Sequence, residues 1–227
     1  MRRLAPGLAS ASRRAALCVL LLAAVSPAPV RAAGVVLGLG AGVAVPLGRI
    51  GGTFPPSTLS DEVSLALPLR LEVGVPVVPG LLVGLYGQYA PAKLSERAPL
   101  RSGACAGFGA SCSGASDRRL GLALEFRPAA ARGAWIGAAV GYEWLRYGIR
   151  DTSGAGSLGY RGWEATLQGG ADFAIAPGWS LGPVAGVTLG RFDVAWVSQG
   201  GETVSGSIAQ KRLHGWLTLG ARLRLEL

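Results

Sequence analysis

The sequence predicts an all-β protein: an eight-stranded antiparallel up-and-down transmembrane β-barrel with a polar, filled interior. Three observations predict it. Aliphatic residues alternate with small or polar ones over stretches of roughly 10–14 residues. The connections between those stretches alternate long and short. Aromatic residues gather near the ends of the stretches and are scarce in their middles. Alternation of period two marks a strand with one apolar face. Soluble strands usually run about five or six residues, whereas a tilted membrane span takes about 9–11.

Residues 1–32 come first and stand apart. They carry Arg2, Arg3, Arg13, Arg14 and Arg31 with no acid, an apolar run over 15–25, then Pro27, Pro29 and Ala32. A basic start, a short apolar core and a small residue at the cut are the layout of a secretory signal peptide. The run is too short to span a bilayer comfortably. Cleavage after Ala32 is expected, leaving 33–227 as one barrel domain. The formal charge of +9 then shrinks, because 17 of the 22 bases remain against 13 acids. Nucleic-acid binding loses most of its support. Ser12-Arg13-Arg14 offers a twin-arginine signal, but a strand-rich membrane protein should be exported unfolded. Cys18 offers a lipid anchor, but Leu17 precedes it where a small residue is needed.

Eight alternating segments follow. The first, roughly 35–46, sets Val35, Leu37, Leu39, Ala41, Val43 and Val45 against mostly glycine. The second, EVSLALPLRLEV, has Leu or Val at every second position from Val63 to Val73, with Ser64, Ala66, Pro68, Arg70 and Glu72 between. A third lies near 81–91. The fourth sets Leu120, Leu122, Leu124 and Phe126 against Gly121, Ala123, Glu125 and Arg127. The fifth, from Trp135, sets Ile136, Val140 and Tyr142 against Gly137, Gly141 and Glu143. The sixth sets Trp163, Leu167 and Phe173 against Glu164, Thr166, Gln168 and Asp172. The seventh sets Trp179, Leu181, Val187 and Leu189 against Ser180, Gly182 and Thr188. The last, LHGWLTLGARLRLEL, sets leucines against His214, Trp216, Thr218, Arg222, Arg224 and Glu226. Pro68 and Pro183 each remove a ladder donor within an apparent strand, so bulges or shifted strands are expected there.

Connections after the odd-numbered segments are long: roughly 47–62, 92–117, 148–159 and 197–209. Those after the second, fourth and sixth are short: PVVPG, PAAARG and APG. Transmembrane barrels have short turns at one end and longer loops at the other. Among the aromatics, Phe126, Trp135, Phe173 and Trp179 lie beside short turns. Tyr89, Tyr142, Trp144, Tyr147, Tyr160, Trp163, Phe192 and Trp196 lie beside long ones. These positions predict two interfacial girdles. Only 15% of residues are charged, yet no segment after residue 32 offers about 18 uninterrupted apolar residues. A barrel reconciles the two, because its apolar residues are spread over alternate positions.

If lipid meets the aliphatic rows, the charges point inward. Arg70, Arg127, Arg222 and Arg224 then share the lumen with Glu72, Glu125, Glu143, Glu164 and Asp172. Buried charges must be paired, so an ion-pair network blocking the short-turn end is expected. Glu143 and Glu164 stand higher and close together, so that one holds a proton or both share an Arg or a cation. A structural polar pair is preferred to a catalytic acid pair. The sole histidine, His214, is lumenal and read as structural. Cys105 and Cys112 in GACAGFGASCSG are expected to form a local disulfide after export. No metal site or cofactor is expected.

Together these residues give a pattern that resembles the small eight-stranded outer-membrane barrels of Gram-negative bacteria, of the OmpA-transmembrane-domain and OmpX type, over about 34–227. LTLGARLRLEL looks like that family's terminal strand, although Leu227 stands where Phe is usual. The resemblance implies location in the bacterial outer membrane, contact with outer-membrane lipid, recognition of the C-terminal strand by the barrel assembly machinery, and a monomeric state; with nothing after Leu227, the peptidoglycan-binding domain of full-length OmpA-like proteins is expected to be absent. It implies a non-enzymatic barrel displaying four extracellular loops in a structural or surface-interaction role. The alternatives are a narrow channel or carrier for small hydrophobic compounds, OmpW-like, and a lipid A-modifying enzyme. His214-Gly215-Trp216 lacks the serine that the PagL-like form of the last would need.

Overall fold

The computed structural model describes residues 34–51, 58–95, 111–128, 133–151 and 154–227; the side chains of 111–113, 149–151 and 154 are outside the described set. Its strands are β1 (Val36–Gly48), β2 (Val63–Ala66), β3 (Leu69–Val78), β4 (Leu81–Leu94), β5 (Ser111–Phe126), β6 (Ala134–Asp151), β7 (Gly154–Ala171), β8 (Phe173–Ala176), β9 (Trp179–Gln199), β10 (Glu202–Ser207) and β11 (Leu213–Glu226). One short helix, α1 (Leu59–Glu62), precedes β2 and is closed by a capping box between Thr58 and Asp61.

The strands form one antiparallel ring. β1 pairs β11 from Val36–Glu226 to Gly48–His214, and β11 pairs β9. β9 pairs β7 and β8, and the ladder continues through β6, β5 and β4. β4 pairs β2 and β3, and both pair β1. The described strands therefore make eight staves, with β2 and β3 sharing one and β7 and β8 another. Closure leaves the eight staves without a free edge, which is what a backbone in hydrocarbon requires, while β10 pairs with β9 alone.

The aliphatic rows face outward. Leu39, Leu71, Leu85, Leu122, Val140, Leu167, Leu189 and Leu219 are each 54–59% exposed. Continuous aliphatic exposure on this scale is foreign to a monomer in water and is the lipid face of a membrane barrel. Two short turns lie wholly within the described residues, Pro79-Gly80 and Pro177-Gly178, where Pro presets one turn position and Gly takes positive φ at the next. The carbonyls of Gly80 and Gly178 accept from Arg127 and Glu226, stitching the short-turn rim to neighbouring staves.

Both doubtful prolines sit at ladder breaks. Pro68 occupies the gap between β2 and β3, where its carbonyl accepts from Gly42 instead. Pro183 continues β9 against β11 but stands beside the interruption between β7 and β8. Several expectations need correction. The connections at 148–159 and 197–209 are mostly strand: β6 and β7 stay paired out to Asp151–Gly154, and β10 folds back on β9 through Gly200-Gly201, both with positive φ. That is a two-residue hairpin of the kind Gly-Gly favours. Val63 is buried rather than lipid-facing, because a register shift between Val63 and Leu65 flips its face. Trp135, Tyr147, Tyr160 and Phe192 are interior, not members of the girdles. Residues 1–32 and Cys105 lie outside the described residues, as does the Cys112 side chain, and with them the signal peptide and disulfide expectations.

Candidate functional site

The lumen is filled in layers. Nearest the short turns, alternation on β3, β5 and β11 brings Glu72, Glu125, Arg127, Arg222 and Arg224 inward, and Asp172 joins from the break after β7. Arg222 reaches Glu125 at 2.5 Å, Asp172 at 2.8 Å and Glu72 at 3.5 Å. Arg224 reaches Glu125 at 2.6 Å. Arg127 pairs with Glu125 at 2.6 Å and also with Asp172. Arg70 pairs with Glu72 at 2.6 Å. Arg224 also reaches the exposed Glu226 at 2.9 Å, so four guanidiniums meet three inward carboxylates and one at the rim. The Arg222 guanidinium also lies 3.7 Å from the ring of Trp135, which is inward by strand parity.

Above this layer is a cavity of about 50 Å³, lined by Arg70, Gln88, Arg119, Thr166, Gln168 and Thr188 among others. It has room for a few water molecules and polar partners to hold them.

The next layer centres on Arg119. Its Nε lies 2.6 Å from Asp117, Nη1 lies 3.1 Å from Glu164 and Nη2 lies 3.4 Å from Glu143. Glu143 also accepts from Trp216 at 2.9 Å and meets His214 Nε2 at 2.6 Å. Tyr86 crosses the lumen to donate to Glu164 at 2.7 Å. It can do so because Gly121 and Gly141 leave its ring room: a Cβ on Gly121 would stand 2.7 Å from it. Glu143 and Glu164 are not directly opposite, since Glu164 pairs with Gly141 and Glu143 with Gly162. Arg119 bridges them. Asp117 and Arg119 were missed in the sequence, although they share the inward parity of Glu125 and Arg127.

The outermost layer is apolar. Leu145, Tyr147, Tyr160 and Phe192 project inward from the staves and pack with Ile50, Leu59 and Ile208 from the connections. Tyr147 donates to Glu62 at 2.6 Å, tying α1 to the lid. Phe192 stacks on His214 with centroids 3.8 Å apart. His214 is therefore held between a carboxylate and a ring, 1% exposed.

Comparison with known proteins fits this architecture. The family model described as the autotransporter beta-domain matches residues 71–227. No curated protein matches. Among solved structures, a major outer membrane protein from Thermus thermophilus is 17% identical, covering 86% of this chain and 100% of that one with a TM-score of 0.51. The Neisserial surface protein A (NspA) is 10% identical over 86% of this chain and 97% of that one, with a TM-score of 0.48. OprG from Pseudomonas aeruginosa is 9% identical over 86% and 97%, with a TM-score of 0.46. The chain belongs to the autotransporter beta-domain family, and its fold is that of a small outer-membrane β-barrel.

Proposed function

We propose that this is a non-enzymatic, non-conducting barrel of the outer membrane that displays four connections at the cell surface, two of them extended strand hairpins, in a structural or surface-interaction role. The observation that carries this reading is the filled lumen: an ion-pair layer, a buried Arg119 cluster and an apolar lid occupy it, and the cavity beside Arg119 measures only about 50 Å³. Chemistry has little access, because the sole histidine and its carboxylate partner are both sealed beneath the lid. In this reading residues 1–32 are a cleaved signal peptide, β11 is the strand read by the barrel assembly machinery, and a Cys105–Cys112 disulfide restrains the longest connection. The barrel acts as a monomer without a cofactor.

One observation favours the second reading, a carrier for small hydrophobic compounds. β1 and β2 share a single paired position, Ala44 with Ala66. Beyond it a surface cleft is lined by Val45, Pro46, Ser60, Ser64, Lys93 and Leu94. Leu59 and Val63, next to two of those serines, are fully buried, and α1 packs on β1 across the separation. Planar-bilayer recording tests the choice. Purified protein is expected to give no stepwise conductance, and a stable open channel would overturn the plugged reading. Protease added to intact cells of the native host is expected to cut within 92–117; full protection there would overturn the display.

A further inference from the structure

The outward-facing bases of the described residues lie at one end of the barrel. On six of the eight staves, an Arg or Lys stands two positions from an outward apolar side chain, toward the same end of the barrel. Arg49 follows Leu47, Arg146 follows Trp144 and Arg191 follows Leu189; Arg118 precedes Leu120, Arg161 precedes Trp163 and Lys211 precedes Leu213. Because neighbouring staves are antiparallel, all six fall on the long-connection side.

The register sets these bases among rings. Arg118 pairs across the ladder with Tyr89 on one side and Trp144 on the other, and Arg161 pairs with Trp144. Arg191 stands between Trp163 and Leu213. Tyr142 contacts both Trp144 and Trp163, with ring centroids at 4.8 and 5.3 Å. Asp193 takes up two of the six bases, at 2.9 Å from Lys211 and 3.4 Å from Arg191. Arg49, Arg118, Arg146 and Arg161 have no carboxylate partner among the described residues, and the Nε of Arg161 is buried without a hydrogen-bond partner. The other rim differs. Phe126, Phe173, Trp179 and Leu227 face outward there, and Arg127 and Arg224 are turned into the lumen network.

A belt of six bases, four of them without a carboxylate partner among the described residues, is a poor fit to a neutral leaflet at the edge of the hydrocarbon band. It fits a leaflet with phosphate at that depth, since guanidiniums bind phosphate through two parallel donors. The neighbouring Trp and Tyr offer flat apolar faces at the height where head-group sugars lie. We propose that this belt binds the phosphorylated sugar head group of a glycolipid in the leaflet on the long-connection side. The inference rests on the membrane fold and not on the closed lumen, so a conducting barrel would leave it standing.

The test uses the whole barrel in phosphatidylcholine nanodiscs, alone or with bisphosphorylated lipid A or dephosphorylated lipid A. Retained glycolipid is measured after gel filtration, together with the thermal unfolding midpoint. The phosphorylated form is expected to be retained and to raise the midpoint by several degrees, and the dephosphorylated form to do neither. In R49Q/R118Q/R146Q/R161Q, retention should fall at least about tenfold, while the midpoint in phosphatidylcholine alone stays near that of the parent. Soluble pyrophosphate should not reproduce the shift. Equal retention of both lipids by the parent protein, a variant that keeps its lipid, or an equal shift from pyrophosphate would each overturn the proposal. The first and last need no variant, so a misfolded variant does not protect it.

Discussion

Arg119→Met is expected to lower the stability of the barrel by about 3–5 kcal/mol, the range for removing one partner from a buried ion pair. The reason is stoichiometry. One guanidinium serves Asp117, Glu143 and Glu164 and donates to Thr188 at 3.2 Å. Its own side chain is 4% exposed, and none of the three carboxylates exceeds 1%. Without it, Glu143 keeps Trp216 and His214 and Glu164 keeps Tyr86, but Asp117 loses the ion pair it has here. Three buried acids would then share a layer with no guanidinium to bridge them. Arg127→Met makes the contrast. Arg127 is 25% exposed, and its partners Glu125 and Asp172 both retain Arg222, so its loss should cost well under half as much. Urea unfolding in phospholipid vesicles, followed by tryptophan fluorescence, measures both. Adding Glu143→Gln and Glu164→Gln to Arg119→Met should recover part of the loss, because contacting residues are not additive. If Arg119→Met cost no more than Arg127→Met, the cluster would not be the keystone of the upper lumen.

Much of this layer was legible, and the misreadings share a cause. Alternation alone fixes which side a residue takes. On β6 the odd positions run from Trp135 through Gly137, Ala139, Gly141, Glu143 and Leu145 to Tyr147, and they all point inward. Assigning Trp135 and Tyr147 to the girdles gave their position along the strand more weight than their parity, and parity prevails because the pleat has no third direction. Tyr160 shares parity with Glu164, and Phe192 with Gly190, so the apolar lid could have been read the same way. Asp117 and Arg119 continue the row of Glu125 and Arg127 beyond the point where polarity suggested the strand had ended. Other features were not legible. The shift between Val63 and Leu65 inverts a face without any Gly or Pro to announce it. Which arginine crosses to which acid depends on barrel curvature and on staves up to about a hundred residues apart in sequence, as with Arg224 and Glu125, and no local pattern encodes it.

The second large effect separates lipid from water as the medium outside. Leu122 sits on β5 with Leu85 and Val140 as its cross-strand neighbours, all three more than half exposed and far from either rim of charge. For a protein in water, Leu→Arg at such a site is a surface substitution and should stay within about 0.5 kcal/mol. For a barrel in a bilayer, the same change places a guanidinium near the midplane and should cost about 2–4 kcal/mol. Thr203→Arg is the control. It lies on β10, exposed and paired with Ser198 beyond the aliphatic band, and is expected to be neutral in either medium. Unfolding in vesicles should therefore show a large loss for Leu122→Arg and none for Thr203→Arg, with less of the Leu122→Arg protein reaching the compact, heat-modifiable form on gels. Equal stability of the two variants would mean that the leucine rows do not face hydrocarbon. The inward arginines would then need some other explanation, because only an apolar exterior makes it favourable to gather Arg70, Arg127, Arg222 and Arg224 inside a barrel too narrow to hydrate them.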